Sequence, residues 1–524
     1  MLANRLTEDS QAQVLLLEAG GASSGLFKDM PLAFPKYVAR RDLNWNYESK
    51  PEPHLNGRRI AIPRGKGLGG SSMINGMVYA RGHRLDYDDW AKRGLAGWAY
   101  ADVLPYFRKS ERSWLGESTY HGASGEMEIA VPQTNMLYAE IRAASVAAGF
   151  PSTDDYHGAH SEGFQRSEMT VVGGRRGSTA RLFLKPAKGR RNLRVETRAL
   201  ARRVRIEGGR AVGVDYVQGG RELTAMAARE VILAGGVYAS PQLLMLSGIG
   251  PAAELNSLGI RPVIDLPGVG KNLIEHPFMF VGWNVRPGAF RSELRLDRAA
   301  LWVLRWALFG EGLFATNGAA GNLFIRTQPH LDRPDMQFTC MSGEVSEREL
   351  RLSPIGKKPP GTLGAGLSMI KQDSRGEVSL RSADACAAPR ILFNLFKEQS
   401  DVDRAIRGLR AIREIYGCEP LRGLVGEEAL PGATLTSDAD LERFIRGTGA
   451  ITQHAVGTCK MGVDGDGEAV VDAALKVRGV EALRVIDASI MPDIPGGNTN
   501  APTIMIAEKG ADLIRGQSLF RAQV

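Results

Sequence analysis

Residues 1–21 read MLANRLTEDSQAQVLLLEAGG, and this stretch predicts the second half of a nucleotide-binding βαβ unit. Residues 2–6 have the pattern of a helix end, residues 7–12 that of a polar turn, and Val14–Leu17 that of a short apolar strand. In such units an acidic residue after the second strand binds the ribose hydroxyls, and Glu18 stands at that position. The GxGxxG loop that normally precedes this helix is not part of the printed sequence. The stretch predicts an α/β fold with a parallel sheet.

The composition excludes several classes of protein. A chain of 524 residues with 43% apolar and 24% charged residues buries a large core and predicts two or more interleaved domains. The net charge is +8, but the 66 Lys and Arg residues are scattered, which indicates a solvated surface and no nucleic-acid interface. The four cysteines show no CxxC or His–Cys spacing, so we expect reduced thiols, no metal site and a cytoplasmic location. No signal peptide is visible.

The most apolar long segment is AALWVLRWALFG, residues 299–310. It is shorter than the roughly 18 apolar residues that a membrane span needs, and Arg305 interrupts it. We interpret it as a buried or lid helix, with peripheral membrane contact as the alternative.

A glycine-rich block, PRGKGLGGSSMINGMVYARGH, occupies residues 63–83. Glycines at this density let the backbone press against a flat or anionic ligand, and Ser71 and Ser72 are expected to cap a following helix. A tight turn with a helix cap would explain one or two of these glycines, but not the whole run.

Five blocks in this order resemble the glucose-methanol-choline (GMC) flavin oxidoreductases, most closely their choline dehydrogenase-like and alcohol dehydrogenase-like members. They are VLLLEAG at residues 14–20, the glycine-rich block, ASPQLLMLSGIGP at 239–251, GVGKNLIEHP at 268–277, and HAVGTCKMG at 454–462 with the LRVIDASIMPDIPGGNTNAPTIMIAEKGADLI run at 483–514. The resemblance covers nearly the entire chain.

The resemblance implies a discontinuous FAD-binding domain with a parallel sheet, interleaved with an α+β substrate domain built on an antiparallel sheet and helices. We expect the FAD-binding domain to comprise residues 1–80, 185–280 and 450–524, and the substrate domain to comprise residues 81–184 and 281–449.

The chemistry that the resemblance implies is oxidation of an alcohol CH–OH group with hydride transfer to flavin N5. His454 is implied as the base, because the histidine of HxVGTC has that role in the family and an imidazole accepts a proton near neutral pH. Asn498, 44 residues downstream, is implied as a hydrogen-bond donor to the substrate oxygen. Without the resemblance, His454 reads as an ordinary core histidine and Asn498 and Asn500 as turn residues. A quinone, another protein or oxygen would take the electrons, and the oligomeric state is not readable.

The implied FAD contacts fall in four regions of the sequence. They are Glu18, the glycine-rich block (Gly67, Gly70, Ser71, Asn75 and Gly76), Ala201 beside the adenine, and the last block (Asp487, Ala488 and Asn500). Some relatives attach FAD covalently to a histidine before the asparagine of the block; Ile74 stands there, so we expect noncovalent FAD.

Two features of the sequence bear on the substrate and on the length of the functional protein. Ala320, in TNGAAGNLFIR at residues 316–326, stands where choline-oxidising relatives are expected to carry Glu, so choline becomes doubtful as the substrate. Because Met1 falls where relatives continue a helix, we expect the functional protein to extend upstream to a strand and GxGxxG. The alternatives are a truncated, FAD-free, non-catalytic binding protein and, less favoured, a flavoprotein hydroxynitrile lyase.

Overall fold

The computed structural model describes residues 1–22, 27–132, 137–286, 296–341, 362–517 and 521–523. Helices and strands alternate along the chain, which confirms the predicted α/β class. The described α-helices are Leu2–Leu6, Phe34–Val38, Arg84–Lys92, Tyr100–Ser110, Tyr138–Ala147, Lys185–Ala187, Gly236–Leu246, Ala252–Ser257, Leu296–Phe309, Gln399–Tyr416, Leu421–Leu424, Asp438–Thr448 and Asn500–Arg515.

Parallel strand pairs join distant parts of the chain, as the sequence predicts. Val14–Glu18 pairs with Leu193–Thr197, so that Glu18 lies opposite Thr197 at the carboxyl end of both strands. Val231–Leu233 pairs in parallel with Leu483–Val485. Ligands of parallel α/β sheets bind beyond the carboxyl ends of the strands, which is where Glu18 and the loop after Val485 lie. A further short parallel pair joins Ile249–Gly250 and Ile264–Asp265.

An antiparallel sheet forms the second layer, again as predicted. Its strands are, in spatial order, Val425–Leu430, Pro277–Val285, Thr362–Met369, Met336–Met341, Ala319–Ile325 and Gly163–Arg166, with Ala450–Ile451 paired to Pro277–Val285. One face packs into a hydrophobic core that includes Leu323, Phe338 and Leu367 together with Ile412 of the helix Gln399–Tyr416. The opposite face carries Asn322 and Gln337 to the candidate active site.

The remaining strands form smaller antiparallel and mixed sheets. They are Ala199–Glu207, Arg210–Gln218 and Arg221–Met226; Glu111–Ser113, Met127–Ala130, Met169–Val172 and Arg175–Arg176; Tyr47–Glu48 with Ala61–Ile62; and Glu377–Ser379 with Arg390–Leu392.

The glycine-rich block does not lead into a helix, so the predicted serine caps are wrong. Gly70–Met73 is a single 3₁₀ turn in which neither serine makes a capping hydrogen bond. The Ser71 hydroxyl instead accepts a hydrogen bond from the Gly65 amide at 3.2 Å, and the Ser72 hydroxyl donates to the Gly69 carbonyl. Both hydroxyls therefore close the glycine loop upon itself.

The apolar segment 299–310 forms the predicted helix, Leu296–Phe309, but the helix is only half buried. Ala299 and Trp306 pack in a core cluster with residues such as Met30, whereas Leu301 and Leu308 are 65% exposed. Sequence hydrophobicity cannot tell an inward apolar face from an outward one. In the described part of the chain, no helix is long and apolar enough to cross a membrane.

Candidate active site

The structure brings His454 and Asn498 into direct contact. The Asn498 amide nitrogen Nδ2 lies 2.9 Å from His454 Nε2. His454 lies on the segment after the short strand Ala450–Ile451, and Asn498 on the glycine loop before the helix Asn500–Arg515. Both side chains are partly exposed.

A polar network fixes the orientation of the Asn498 amide. Gln337 Nε2 lies 3.2 Å from both Asn498 Oδ1 and Asn322 Oδ1, and it donates to these two acceptors. The Thr339 hydroxyl also donates to Asn322 Oδ1 at 2.9 Å. Because Asn498 Oδ1 accepts from Gln337, its NH₂ group faces His454 and donates to Nε2.

A second histidine contacts the other side of the His454 ring. His276 Nδ1 lies 3.1 Å from His454 Nδ1, with the two rings at 87° to each other. Since His454 Nε2 accepts from Asn498, its partners assign the ring proton to Nδ1, which donates to His276. Burial and the nearby Arg64 lower the pKa of His454 to about 3, and burial and His454 hold the pKa of His276 well below its usual value. Both rings are therefore neutral at pH 7, with His454 Nε2 unprotonated.

Glu275 holds the backbone that carries His454. Its buried carboxylate accepts hydrogen bonds from the backbone amides of His454 at 2.7 Å and Ala455 at 3.0 Å. Burial raises the pKa of Glu275 to about 7, against the opposing effect of Arg64. Arg64 also donates to the Gln453 carbonyl at 2.6 Å, so the glycine-rich block is tied to the histidine segment.

Asp86 anchors the loop that carries Asn498. Its buried carboxylate accepts from the Gly496 amide at 2.7 Å and forms an ion pair with Lys371 at 2.6 Å. Burial raises the pKa of Asp86, but Lys371 and the Gly496 amide together lower it to about 2. Asp86, Glu275 and His276 were not singled out from the sequence, although each lies within or just after a motif block. Their position within or next to those blocks was the sequence signal that could have identified them.

The first group of predicted cofactor residues converges at the end of the first parallel pair. The Glu18 carboxylate accepts from the Gly20 amide at 2.7 Å, and Gly21 forms a β-bridge with Gly67. Burial raises the pKa of Glu18. The Arg198 amide donates to the Gly20 carbonyl at 2.9 Å, which brings the strand with Ala201 to this loop.

The middle of the glycine-rich block is held by a buried arginine. Arg176 donates to the Asn75 carbonyl at 2.7 Å and to Asn75 Oδ1 at 2.9 Å, while the Gly76 carbonyl accepts from Asn317. Ile74 is buried in the adjoining core cluster with residues such as Met73. The Asn75 and Gly76 oxygens thus bond within the protein.

The last predicted group lies at the end of the second parallel pair. The Asp487 carboxylate accepts from the Gly236 amide at 2.8 Å and the Ser240 hydroxyl at 2.6 Å, so it ties two elements together. The Ala488 carbonyl accepts from the Gly457 amide, three residues after His454. Asn500 is the first residue of the C-terminal helix.

The glycine loops fit a flat or anionic cofactor such as FAD. No atom lies within 4 Å of the position that a Cβ would occupy at Gly21, Gly70 or Gly236, so a ligand can approach these backbones. The first turns of the helices after Gly235 and Thr499 present backbone amides that suit negatively charged or carbonyl groups. Among the described residues, no group of three or more His, Cys, Asp and Glu side chains is arranged to hold a metal ion.

Ala320 does not face this site. It is 2% exposed and packs in the hydrophobic core, because the pairing of Ala319–Ile325 with Met336–Met341 shifts register between Ala319 and Gly321. Asn322, on the same strand, is linked to Asn498 through Gln337. The doubt about choline that rested on Ala320 therefore loses its structural basis.

Comparison with known proteins matches this geometry to one family. The amino-terminal GMC oxidoreductase model matches residues 13–278 and the carboxyl-terminal model residues 372–507. The chain is 44% identical to the oxygen-dependent choline dehydrogenase of Burkholderia ambifaria, over 100% of this chain and 93% of that protein. It is 42% identical to the Sinorhizobium fredii protein of the same name, over 98% and 93%.

Solved structures agree with the sequence relatives. The pyridoxine 4-oxidase from Mesorbium loti superimposes with a TM-score of 0.88 at 27% identity, over 99% of this chain and 97% of that one. Formate oxidase of Aspergillus oryzae gives a TM-score of 0.89 at 26% identity, over 98% and 96%. The chain therefore belongs to the GMC oxidoreductase family, as a choline dehydrogenase-like, FAD-dependent oxidoreductase.

Proposed function

We propose that His454 and Asn498 carry out the oxidation of an alcohol CH–OH group. The observation that carries the proposal is the 2.9 Å contact between Asn498 Nδ2 and His454 Nε2, with the other atoms of both side chains fixed by Gln337 and His276. FAD, bound noncovalently, would supply the hydride acceptor at N5. Anaerobic mixing with a panel of alcohols tests the proposal, because a substrate must bleach the yellow absorbance of the flavin.

His454 acts on the hydroxyl proton. A substrate hydroxyl would replace the direct Asn498–His454 hydrogen bond, donating to Nε2, the unprotonated nitrogen, and accepting from Asn498 Nδ2. As the proton moves to Nε2, negative charge develops on the substrate oxygen, and the Asn498 amide stabilises it by donating a hydrogen bond. His276 keeps the Nδ1 proton of His454 in place, and Glu275 holds the backbone of His454 in position.

The predicted cofactor residues would contact FAD from its two ends. Glu18 and Ala201 would bind the adenosine half, and Ala488 and Asn500 the isoalloxazine half. Gly67, Gly70 and Ser71 would line the connecting loop, where the open backbone at Gly70 supports the assignment. Backbone amides would make the FAD contacts of Asn75, Gly76 and Asp487. The side-chain oxygens of Asn75 and Asp487 and the carbonyl oxygen of Gly76 already accept hydrogen bonds from the protein. The division into FAD-binding segments 1–80, 185–280 and 450–524 belongs to the same proposal.

Neutral alcohols are the proposed substrates, in preference to choline. Arg64 lowers the pKa of His454, so its positive charge acts on the reactive pair, whereas the charge of Lys371 near His276 is offset by its ion pair with Asp86 at 2.6 Å. A quaternary ammonium group would meet the positive field of Arg64. The nearby Glu275 carboxylate offsets this charge only in part, because burial raises the pKa of Glu275 to about 7.

This field predicts the order of substrates. We expect benzyl alcohol or hexanol to exceed choline in kcat/KM by about tenfold or more, since one unfavourable charge interaction of about 1.4 kcal/mol is a factor of ten. Steady-state assays with an artificial acceptor measure the ratio. If choline has the higher kcat/KM, a cation site exists that these contacts do not reveal.

The electron acceptor is proposed to be a quinone or a protein, reached at a membrane surface from a cytoplasmic location. The helix Leu296–Phe309 exposes Leu301, Leu304, Leu308 and Phe309, while its inner face packs in the protein. Arg305 also lies on the helix, where it pairs with Glu311 at 3.0 Å. An exposed apolar face on an amphipathic helix is typical of contact with a lipid surface.

The lipid contact predicts a loss of vesicle binding in one double variant. Leu301→Glu/Leu308→Glu should lower binding to phosphatidylglycerol-containing vesicles by about tenfold or more, because two apolar side chains no longer enter the lipid. Co-sedimentation at low ionic strength measures it. Met226→Glu is the control, because Met226 is 68% exposed and lies outside this helix, at the end of the strand Arg221–Met226. Equal sedimentation of all three proteins would contradict the contact.

A further inference from the structure

Two phenylalanines lie on the face of the antiparallel sheet that faces away from the core. Phe278 and Phe280 belong to the strand Pro277–Val285 and are partly exposed. The alternate residues Met279 and Val281 are 1% and 0% exposed and pack in the hydrophobic core. Side chains alternate between the two faces of a strand, so both phenylalanines point to the opposite side.

This face is the one that supports Asn498. Phe278 pairs with Ser368, and Ser368 pairs with Gln337 on the next strand. Directly paired residues of an antiparallel sheet project from the same face, and neighbouring strands lie about 4.8 Å apart. Phe278 therefore lies about 10 Å across the sheet from Gln337, the residue that donates to Asn498.

Phe278 also lies close to the other member of the reactive pair. It follows His276 by two residues, and His276 contacts the His454 ring. Phe278 thus lies at the end of the strand nearest to the His454–Asn498 pair, and Phe280 lies about 7 Å further along the same face.

Two glycines allow the rings to lie flat on the sheet. A Cβ at Gly366 would lie 2.6 Å from Phe278 Cε2, and a Cβ at Gly364 would lie 2.3 Å from the Val281 carbonyl oxygen and 2.6 Å from Phe280 Cζ. Each ring therefore occupies the space that a side chain at the neighbouring strand would fill. Glycine weakens a strand interior, so a close approach of another group is the usual reason for it.

We propose that Phe278 and Phe280, laid over Gly366 and Gly364, form an apolar shelf that binds the carbon chain of the substrate and selects alcohols with a long aliphatic or aromatic group. The shelf rests on the proposed function, because it requires the substrate hydroxyl to bind at His454 and Asn498. It is one-sided, unlike the multi-sided aromatic cages that hold quaternary ammonium ions.

The chain-length dependence of kcat/KM tests the shelf. Across the primary alcohols from ethanol to octanol, kcat/KM of the unchanged protein should rise about twofold to fourfold for each added methylene that reaches the shelf. In Phe278→Ala this rise should become nearly flat, so that the ratio of kcat/KM for octanol to kcat/KM for ethanol falls toward one. Phe309→Ala, on the exposed surface helix, is the control and should keep the original slope.

Gly366→Ala tests the position of the ring directly. The nearest atoms that its Cβ would meet all belong to the Phe278 ring, so the variant displaces the ring without meeting backbone. It should lower kcat/KM for octanol and benzyl alcohol by about tenfold while sparing ethanol. In the Phe278→Ala background the same substitution should have almost no further effect, as a double-mutant cycle for two contacting groups requires.

Two results separate the shelf from the proposed function. If ethanol and octanol are both oxidised and Phe278→Ala keeps the full chain-length slope, the shelf is wrong and the alcohol oxidation stands. If no alcohol reduces the flavin of the unchanged protein, the proposed function fails first.

Discussion

His454→Ala is expected to slow flavin reduction by an alcohol about 10²- to 10⁴-fold while FAD stays bound. The substitution removes Nε2, the nitrogen that accepts the hydroxyl proton, and leaves the predicted FAD contacts in place. Anaerobic rapid mixing measures the reduction rate, and the flavin spectrum of the purified variant measures cofactor content. His330→Ala, at an exposed position, is the matched control.

The pH dependence sharpens this prediction. Because burial and Arg64 lower the pKa of His454 to about 3, its ring stays unprotonated as the pH falls from neutral toward about 5. We expect no loss of reduction rate from protonation of the His454 ring near pH 6.5; a loss in that range would belong to Glu275, whose pKa is about 7 and whose carboxylate holds the His454 backbone. A His454→Ala variant that reduces its flavin as fast as the unchanged protein would remove His454 from the chemistry.

Asn498→Ala is the substitution with the second largest expected effect. Removal of a donor to a developing oxyanion typically lowers kcat by about 10²- to 10³-fold. The substitution also removes the acceptor of the Gln337 hydrogen bond and the donor to His454 Nε2. The loss should appear mainly in kcat, because the hydrogen bond strengthens as charge develops on the substrate oxygen.

Asn498→Asp separates the donor from the shape of the side chain. The carboxylate has nearly the same size but donates no hydrogen bond, and its charge beside His454 would raise the pKa of that histidine. We expect Asn498→Asp to be at least as slow as Asn498→Ala and to regain some rate toward high pH. Asn256→Ala, on an exposed helix position, controls for the loss of an asparagine. Full kcat in Asn498→Asp would show that donation from this residue is not needed.

The sequence predicted the elements that carry motif residues better than the contacts between them. The strand at Val14–Glu18 followed from a run of apolar residues closed by an acid and two glycines, which is a local pattern. The proximity of His454 and Asn498 came through family resemblance, since nothing local joins two loops 44 residues apart.

The sequence could not predict which face of a strand a residue occupies beside a bulge. The register shift between Ala319 and Gly321 turns Ala320 into the core and leaves Asn322 at the site, which no residue pattern in that segment indicates. The anchoring of Gly496 by Asp86 joins residues 410 positions apart, so it too depends on tertiary structure. The sequence left open whether the helix Leu296–Phe309 is buried or exposes an apolar face, because hydrophobicity alone does not show what the apolar side chains contact.

Flavin reduction by a carbinol-deuterated alcohol tests directly whether this protein oxidises alcohols by hydride transfer. Benzyl alcohol is expected to bleach the flavin anaerobically with one equivalent of aldehyde formed, and deuterium on the carbinol carbon is expected to slow the bleaching. The same deuterium effect should remain in His454→Ala at its lower rate, because the carbon–hydrogen bond still has to break. A flavin that stays oxidised with every alcohol of the panel would contradict the account.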